Sequence, residues 1–274
     1  MHVHLRRRSG ARTLEGVPEG DTIHYAANRI RPVLEGEVPD AIETPHPRFG
    51  ASRWPERLGG RAVESVTAHG KHLFLRFEEG LTIHSHLRMT GAWGVHPEGQ
   101  RWKRSPRRAW LVLHRADTAV VQFDGPVLEL ITENRRRFDR RLALLGPDIL
   151  APELDEAGFL ARLRADDPTR GIGDALLDQR TLAGIGNLWK AEACFGTHLD
   201  PWRPTGRVTD EEALALVRWA RPRMQESART GAQDRFRVIY GRAGRPCPRC
   251  GAIVRQRGQG DDNRLTYWCP GCQS

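Results

Sequence analysis

The chain has 274 residues, 39% of them hydrophobic, a formal net charge of +9 and a pI near 10.0. This length is enough for a real core in two domains or in one large domain plus a module, which argues against disorder throughout. With no long apolar run to enter a bilayer, the basic balance favours a polyanionic partner, nucleic acid before membrane. Lysine occurs only at Lys71, Lys103 and Lys190, and arginine supplies the remaining positive charge, as a GC-rich coding bias would produce.

The first residues, "MHVHLRRRSGARTLEG", are basic but lack the apolar stretch of about 7–15 residues that marks a secretory signal. The expected location is therefore cytoplasmic. Behind "VPEGD", the residues Ile23, Ala26, Ala27, Ile30 and Leu34 recur at helical spacing and predict an amphipathic helix over 21–34. Pro32 should kink or shorten its last turn, since it removes a backbone donor and crowds the preceding turn. The runs "RAVESVTA", "HLFLRF", "LTIHSHL", "AWLVLH" and "TAVVQF", separated by Gly, Pro and acidic turns, read as strands of an all-β layer, a sandwich.

After about Leu150 the spacing becomes helical in "ELDEAGFLARLRA", "IGDALLDQ", "GNLWKAEACF" and "TDEEALALVRWARPRMQESA", the last with Asp210 as its start signal. In "LAGIGNLWKAEACF", Gly184 and Gly186 precede a helix whose first amides suit a phosphate oxygen, with Asn187 as an added donor. A helix–turn–helix corner with no ligand has the same pattern. Cys194 reads as a small buried hydrophobe.

Cys247 and Cys250, then eighteen residues, then Cys269 and Cys272, have the spacing of two knuckles on one tetrahedral zinc ion. Four thiolates close the coordination shell, so one structural Zn2+ is expected rather than a catalytic one. "AIVRQR" and "RLTYW" read as a hairpin turning through "GQGDDN", and the metal would supply much of its folding energy. A redox dithiol pair is the alternative. Arg264, at the foot of the second strand, is either a phosphate ligand or a solvated charge.

Taken in order, "VPEGDTIH", "HGKHLF", "HSHLRMTGAW", "LDQRTLAGIGNLWKAEACF" and "YGRAGRPCPRCGAIV…NRLTYWCPGCQ" resemble the formamidopyrimidine-DNA glycosylase/endonuclease VIII family of base-excision repair enzymes, from Val17 to the carboxyl end. "PEGDT" and "HSHLRMTGAW" look more like the endonuclease VIII branch, whose members mostly act on oxidised pyrimidines. The resemblance implies an α+β multidomain chain: an N-terminal β-sandwich with flanking helices over 17–147, a helix–two-turn–helix domain over 148–236 and a zinc finger over 237–274. Residues 1–16 are then a misplaced start, with a GTG codon at Val17 as the true initiator.

The same resemblance makes Pro18 the nucleophile, Glu19 the general acid/base and Lys71 an active-site lysine on the phosphate beside the lesion. A proline nucleophile must be a free chain terminus, because an amide nitrogen has no available lone pair. Met89 matches the side chain that fills the gap left by an extruded base, and Arg88 the one that reaches the orphaned partner. Asn187 and Arg264 match phosphate-gripping residues.

On their own terms, Pro18 reads as a loop proline, Glu19 as a complement to a helix dipole and Met89 as a core methionine at a strand end. Thr22 and Thr90 depart from the family pattern, the first replacing a glutamate and the second an aromatic residue. The implied partner is damaged double-stranded DNA, bound by a monomer with no membrane association. The rival readings are a damage-binding protein without catalysis, if the leader stays attached, and a zinc-ribbon regulator that reads sequence.

Overall fold

The computed structural model describes residues 18–261 and 263–274. The expected misplaced start over 1–16, and Val17 as initiator, lie outside the described residues.

The elements follow in chain order as α1 (Gly20–Leu34), β1 (Ala41–Glu43), α2 (Trp54–Leu58), β2 (Val63–His69), β3 (His72–Phe77), β4 (Leu81–His86), β5 (Ala92–Pro97), β6 (Ala109–Arg115), β7 (Thr118–Phe123) and β8 (Val127–Thr132). Then come α3 (Glu133–Phe138), α4 (Arg140–Ala143), α5 (Glu156–Ala165), α6 (Ile172–Ala175), α7 (Asn187–Gly196), α8 (Asp210–Thr230), β9 (Arg255–Gln259) and β10 (Arg264–Trp268).

Two four-stranded sheets, ordered β1-β6-β7-β5 and β2-β3-β4-β8, form the expected sandwich with antiparallel pairing throughout. Alternation places Leu73, Leu75 and Phe77 of β3 in the core with Ile83, Leu111, Leu113 and Val120. One face of α1 joins the same core through Ile23, Ile30 and Leu34. Pro32 does not shorten this helix. Its missing donor falls in the last turn, and the Glu35 amide still reaches the Arg31 carbonyl at 3.0 Å.

The helical lobe has a separate core that includes Phe159, Leu176, Leu182, Trp189, Cys194, Leu216 and Met224. Cys194 is fully buried, as expected. The long helix α8 starts at Asp210, but its cap is Thr209, whose hydroxyl accepts the Glu212 amide while Glu212 caps the Thr209 amide in return. "IGDALLDQ" yields only α6. The Gln179 side chain donates to the Leu177 and Ile185 carbonyls and accepts the Gly184 amide, which builds two successive turns instead of a continuing helix.

The sandwich and the helical lobe meet along α1 and α8. Asp21 of α1 is buried and accepts the Ser227 hydroxyl at 2.5 Å and the Gln233 amide at 3.0 Å. Burial raises the Asp21 carboxyl above its usual range, against the pull of these donors. The C-terminal hairpin β9/β10 begins three residues later than "AIVRQR" suggested, in register Arg264↔Gln259. It packs on α7 through Ala191, Phe195, Ile239, Val254 and two of the cysteines.

Candidate active site and nucleic-acid interface

Glu19 precedes α1 and is 1% exposed. Its carboxylate lies at the start of α7 and accepts the amides of Gly186 at 2.9 Å, Leu188 at 2.8 Å and Trp189 at 3.3 Å. A helix start suits an anion through its unpaired N–H groups and its dipole. Burial nevertheless raises the Glu19 carboxyl to about 7, against the lowering pull of Lys71 and these amides. The group can therefore hold or give a proton near neutrality, as a general acid/base requires.

Glycine makes this approach possible. The Gly20 amide donates to the Gly184 carbonyl at 2.9 Å, and a Cβ on Gly20 would meet the Gly184 Cα at 2.7 Å. A Cβ on Gly186 would fall 2.2 Å from the Glu19 carboxyl carbon. The glycines of the "GIG" turn thus serve backbone contact with the sandwich lobe, where they seat a carboxylate of the chain itself.

Lys71 occupies the tight turn between β2 and β3, where Gly70 adopts φ +55°. The Gly70 amide donates to Asp148 Oδ2 at 3.0 Å, and Asp148 also pairs with His24 Nε2 at 2.8 Å. Burial would raise the Asp148 carboxyl, but His24 and the Leu150 and Gly70 amides hold it below the usual range. The lysine turn is thereby tied to α1 and to the helical lobe. Burial lowers the Lys71 ammonium, Glu19 opposes that shift and Arg264 reinforces it, which places these three charges in one electrostatic neighbourhood.

Met89 lies between β4 and β5 and is 64% exposed, which excludes a core methionine at a strand end. Its loop is closed by the Gly91 amide on the Leu87 carbonyl at 2.9 Å and braced by Arg104, which donates to the Thr90 carbonyl at 2.9 Å. Arg88 is exposed, with φ +49°. A cleft of ≈ 800 Å³ lies between this loop and α1, with Pro18, Thr22, Tyr25, Met89 and Lys103 in its wall. Pro18 itself is half-buried.

Sequence reasoning missed the histidines behind this loop. His86 Nδ1 accepts the Arg88 amide at 3.1 Å, and burial, Arg88, Lys71 and His84 lower its imidazole to about 4. His72 Nδ1 meets His84 Nε2 at 2.8 Å, and His84 Nδ1 faces Glu129 at 3.4 Å. Alternation in "HLF" and "HSH" was the available signal, since it puts His72, His84 and His86 on one sheet face.

Arg264 is exposed at the start of β10. Asn187 is half-buried and donates an amide N–H to the Leu265 carbonyl at 2.7 Å, which fixes the hairpin against α7, and its side chain also hydrogen-bonds Tyr240. The four sulfurs of Cys247, Cys250, Cys269 and Cys272 converge within 4.8 Å of one another. The Cys247–Cys272 and Cys250–Cys269 separations are 3.8 Å and 3.5 Å. Sulfurs at about 2.3 Å from a tetrahedral ion lie about 3.8 Å apart, so the donor set fits a single metal ion. These distances are too long for a disulfide, whose bond is about 2.05 Å.

The arrangement is that of a two-lobed enzyme acting on nucleic acid: a buried acid on the seam, a cation beside it, an exposed methionine loop at a cleft and a metal-type hairpin. The formamidopyrimidine-DNA glycosylase N-terminal domain model matches residues 17–140, and the glycosylase's H2TH domain model matches 145–236. The chain belongs to that family.

It is 42% identical over 267 residues to a probable endonuclease 8 2 of Streptomyces coelicolor, covering 94% of each chain. It is 38% identical to the DNA-(apurinic or apyrimidinic site) lyase Nei2 of Mycolicibacterium smegmatis, covering 94% of this chain and 99% of that one. A Lactococcus lactis formamidopyrimidine-DNA glycosylase bound to abasic-site DNA has the same fold, with a TM-score of 0.77 at 23% identity, covering 93% of this chain and 99% of that one.

Proposed function

We propose that this chain is a bifunctional DNA glycosylase and abasic-site lyase of base-excision repair that removes oxidised bases, pyrimidines above all. The observation that carries the reading is Glu19, a carboxyl poised near 7, buried beside Pro18 and in the field of Lys71.

In this reading the Pro18 nitrogen attacks C1′ of the extruded nucleotide, and the N-glycosidic electron pair leaves with the base, which Glu19 protonates. The proline nitrogen gives up its one N–H proton, and the C1′–O4′ bond opens with its electron pair leaving on O4′, which takes a proton. The iminium that results stays cationic because its nitrogen, bonded to three carbons, has no proton left to shed. That charge acidifies the C2′ proton. Its loss drives electrons toward the iminium and expels the 3′ phosphate, which nicks the strand. Lys71, Arg264 and Asn187 hold the flanking phosphates, Met89 fills the vacated stack, and Arg88 meets the unpaired base.

A nucleophilic Pro18 must be a terminal amine, so the active protein lacks residues 1–16 and has lost the initiator at position 17, and the 17–147 domain is the catalytic one. The helix–two-turn–helix domain then spans 148–236 and the finger 237–274. The cysteine site holds one structural zinc ion, and the protein acts as a cytoplasmic monomer. No helix of the described residues is long and apolar enough to cross a membrane.

Borohydride trapping on abasic duplex tests the reading. The native protein should be trapped covalently, with an intact mass that begins at Pro18, while Pro18→Gly should bind the duplex without trapping. Normal trapping by Pro18→Gly, or a native mass retaining "MHVHL", overturns the assignment. Binding without trapping by the native chain would favour a non-catalytic damage-binding protein.

A further inference from the structure

Lys190 is one of three lysines in the chain and is 0% exposed. It lies on α7 one turn from Asn187 and points at the hairpin, where its Nζ donates to Thr266 Oγ1 at 2.6 Å. The Thr266 hydroxyl donates in turn to Gln259 Oε1 at 2.8 Å, and Gln259 Nε2 donates to the Pro201 carbonyl at 2.7 Å. Because the threonine proton is committed to Gln259, its lone pairs face the ammonium.

An ammonium carries three N–H donors, and among the described residues this one has a single hydrogen-bond partner. It forms no ion pair with a carboxylate of those residues. Glu192, two residues on, turns away to accept the Val238, Ile239 and Tyr240 amides. A buried cation without a counter-ion costs free energy that an uncharged side chain of equal length would avoid. The neighbours that feel this charge from other elements are Glu19 ahead of α1, Asp174 of α6 and Arg264 of β10, with Cys194 on its own helix.

We propose that Lys190 is a buried counter-charge for the DNA phosphate gripped by Arg264 and Asn187, acting on that phosphate through space and on β10 through Thr266. The inference rests on the DNA-binding reading above. It makes Lys190 a positioning residue that never touches the substrate.

Burial lowers the Lys190 ammonium to about 8 and Arg264 adds to this, while Cys194, Glu19 and Asp174 pull it up. An arriving phosphate favours the charged form, so binding takes up a proton. The added affinity is complete below the free-state value and is lost as pH rises through it toward the bound-state value.

The test is the affinity of the full-length, zinc-loaded protein for a duplex with a non-cleavable abasic analogue, read by fluorescence anisotropy at fixed ionic strength. Between about pH 7 and about pH 9 the unaltered protein should lose about tenfold in affinity. Lys190→Arg, charged throughout, should lose less. Lys190→Met should already be weaker at the lower pH and should show the shallower slope. Pro18, Glu19, Lys71 and Tyr240 titrate in every variant, so the difference in slope isolates Lys190.

Thr266→Val keeps the charge but removes the acceptor it has among the described residues, and its transition should move to lower pH. Zinc content and the thermal midpoint report whether each variant is folded. If Lys190→Met does not fold, Lys190→Arg and Thr266→Val decide. Any folded substitution of Lys190 that keeps the unaltered protein's pH slope overturns the proposal, whatever its affinity. Failure of the unaltered protein to bind the duplex defeats the DNA-binding reading itself.

Discussion

Glu19 and Leu188 are 169 positions apart in sequence, and the Leu188 amide donates to Glu19 Oε1 at 2.8 Å. The acid of the site therefore belongs to the sandwich by sequence and to the helical lobe by hydrogen bonding. With its carboxyl raised by burial to about 7, single-turnover base excision should decline as pH rises above that value. Glu19→Gln should lower excision by about 100-fold or more and abolish this limb, since the amide neither gives nor takes the proton. Stability follows the sign for an acid raised on folding: the group's contribution is greatest below its unfolded value, declines as pH rises toward about 7 and is constant above it. An unchanged pH–rate profile in Glu19→Gln would remove Glu19 from the chemistry.

Gly186→Ala should be worse than an ordinary helix-start substitution, because its Cβ would lie 2.2 Å from the Glu19 carboxyl carbon. Either α7 or Glu19 must move. We expect a loss of about 1–3 kcal/mol in stability by denaturant titration, with excision suppressed beyond what the unfolded fraction explains. Normal excision by a fully folded Gly186→Ala protein would show that Glu19 tolerates displacement.

Met89→Ala should leave stability within about 0.5 kcal/mol, since the side chain is 64% exposed. Excision from duplex DNA should fall sharply, while excision from single strands, where no stack is broken, should change little. Equal losses on both substrates would argue against a wedge.

Chelation should release one zinc ion per chain and unfold β9/β10, because a structural zinc site of this kind supplies about 10–16 kcal/mol of apparent folding energy. Arg264 and the Lys190–Thr266 contact depart with the hairpin. Duplex affinity should fall and return on adding zinc back, measured alongside metal content. A metal-free protein that binds DNA normally would contradict the assigned role of the finger.

Residues carrying strong local patterns were legible in the sequence. Alternation in "HLFLRF" gave β3 and its buried face, and the paired CxxC spacing gave the converging sulfurs. What escaped depended on distant partners. Gln179 spends its side chain on turn backbone, so "IGDALLDQ" stops being helical early although its local propensity favours helix. The turn "GIG" suggested a phosphate cradle, yet its Gly186 amide is spent on Glu19, a residue no local window contains, and its Gly184 amide on Gln179. Lys190 is covered by β10, seventy-six positions away, which its own helix pattern does not announce.

The shared carboxylate has a consequence for the enzyme's safety. An N-terminal fragment ending before Gly186 would keep Glu19 but expose it to water, where it reverts to an ordinary acid and is deprotonated at neutral pH. Under the proposed mechanism the joint between lobes is an interlock: a partly folded or clipped molecule would carry the Pro18 amine but would lack the protonated acid that releases a base from intact DNA.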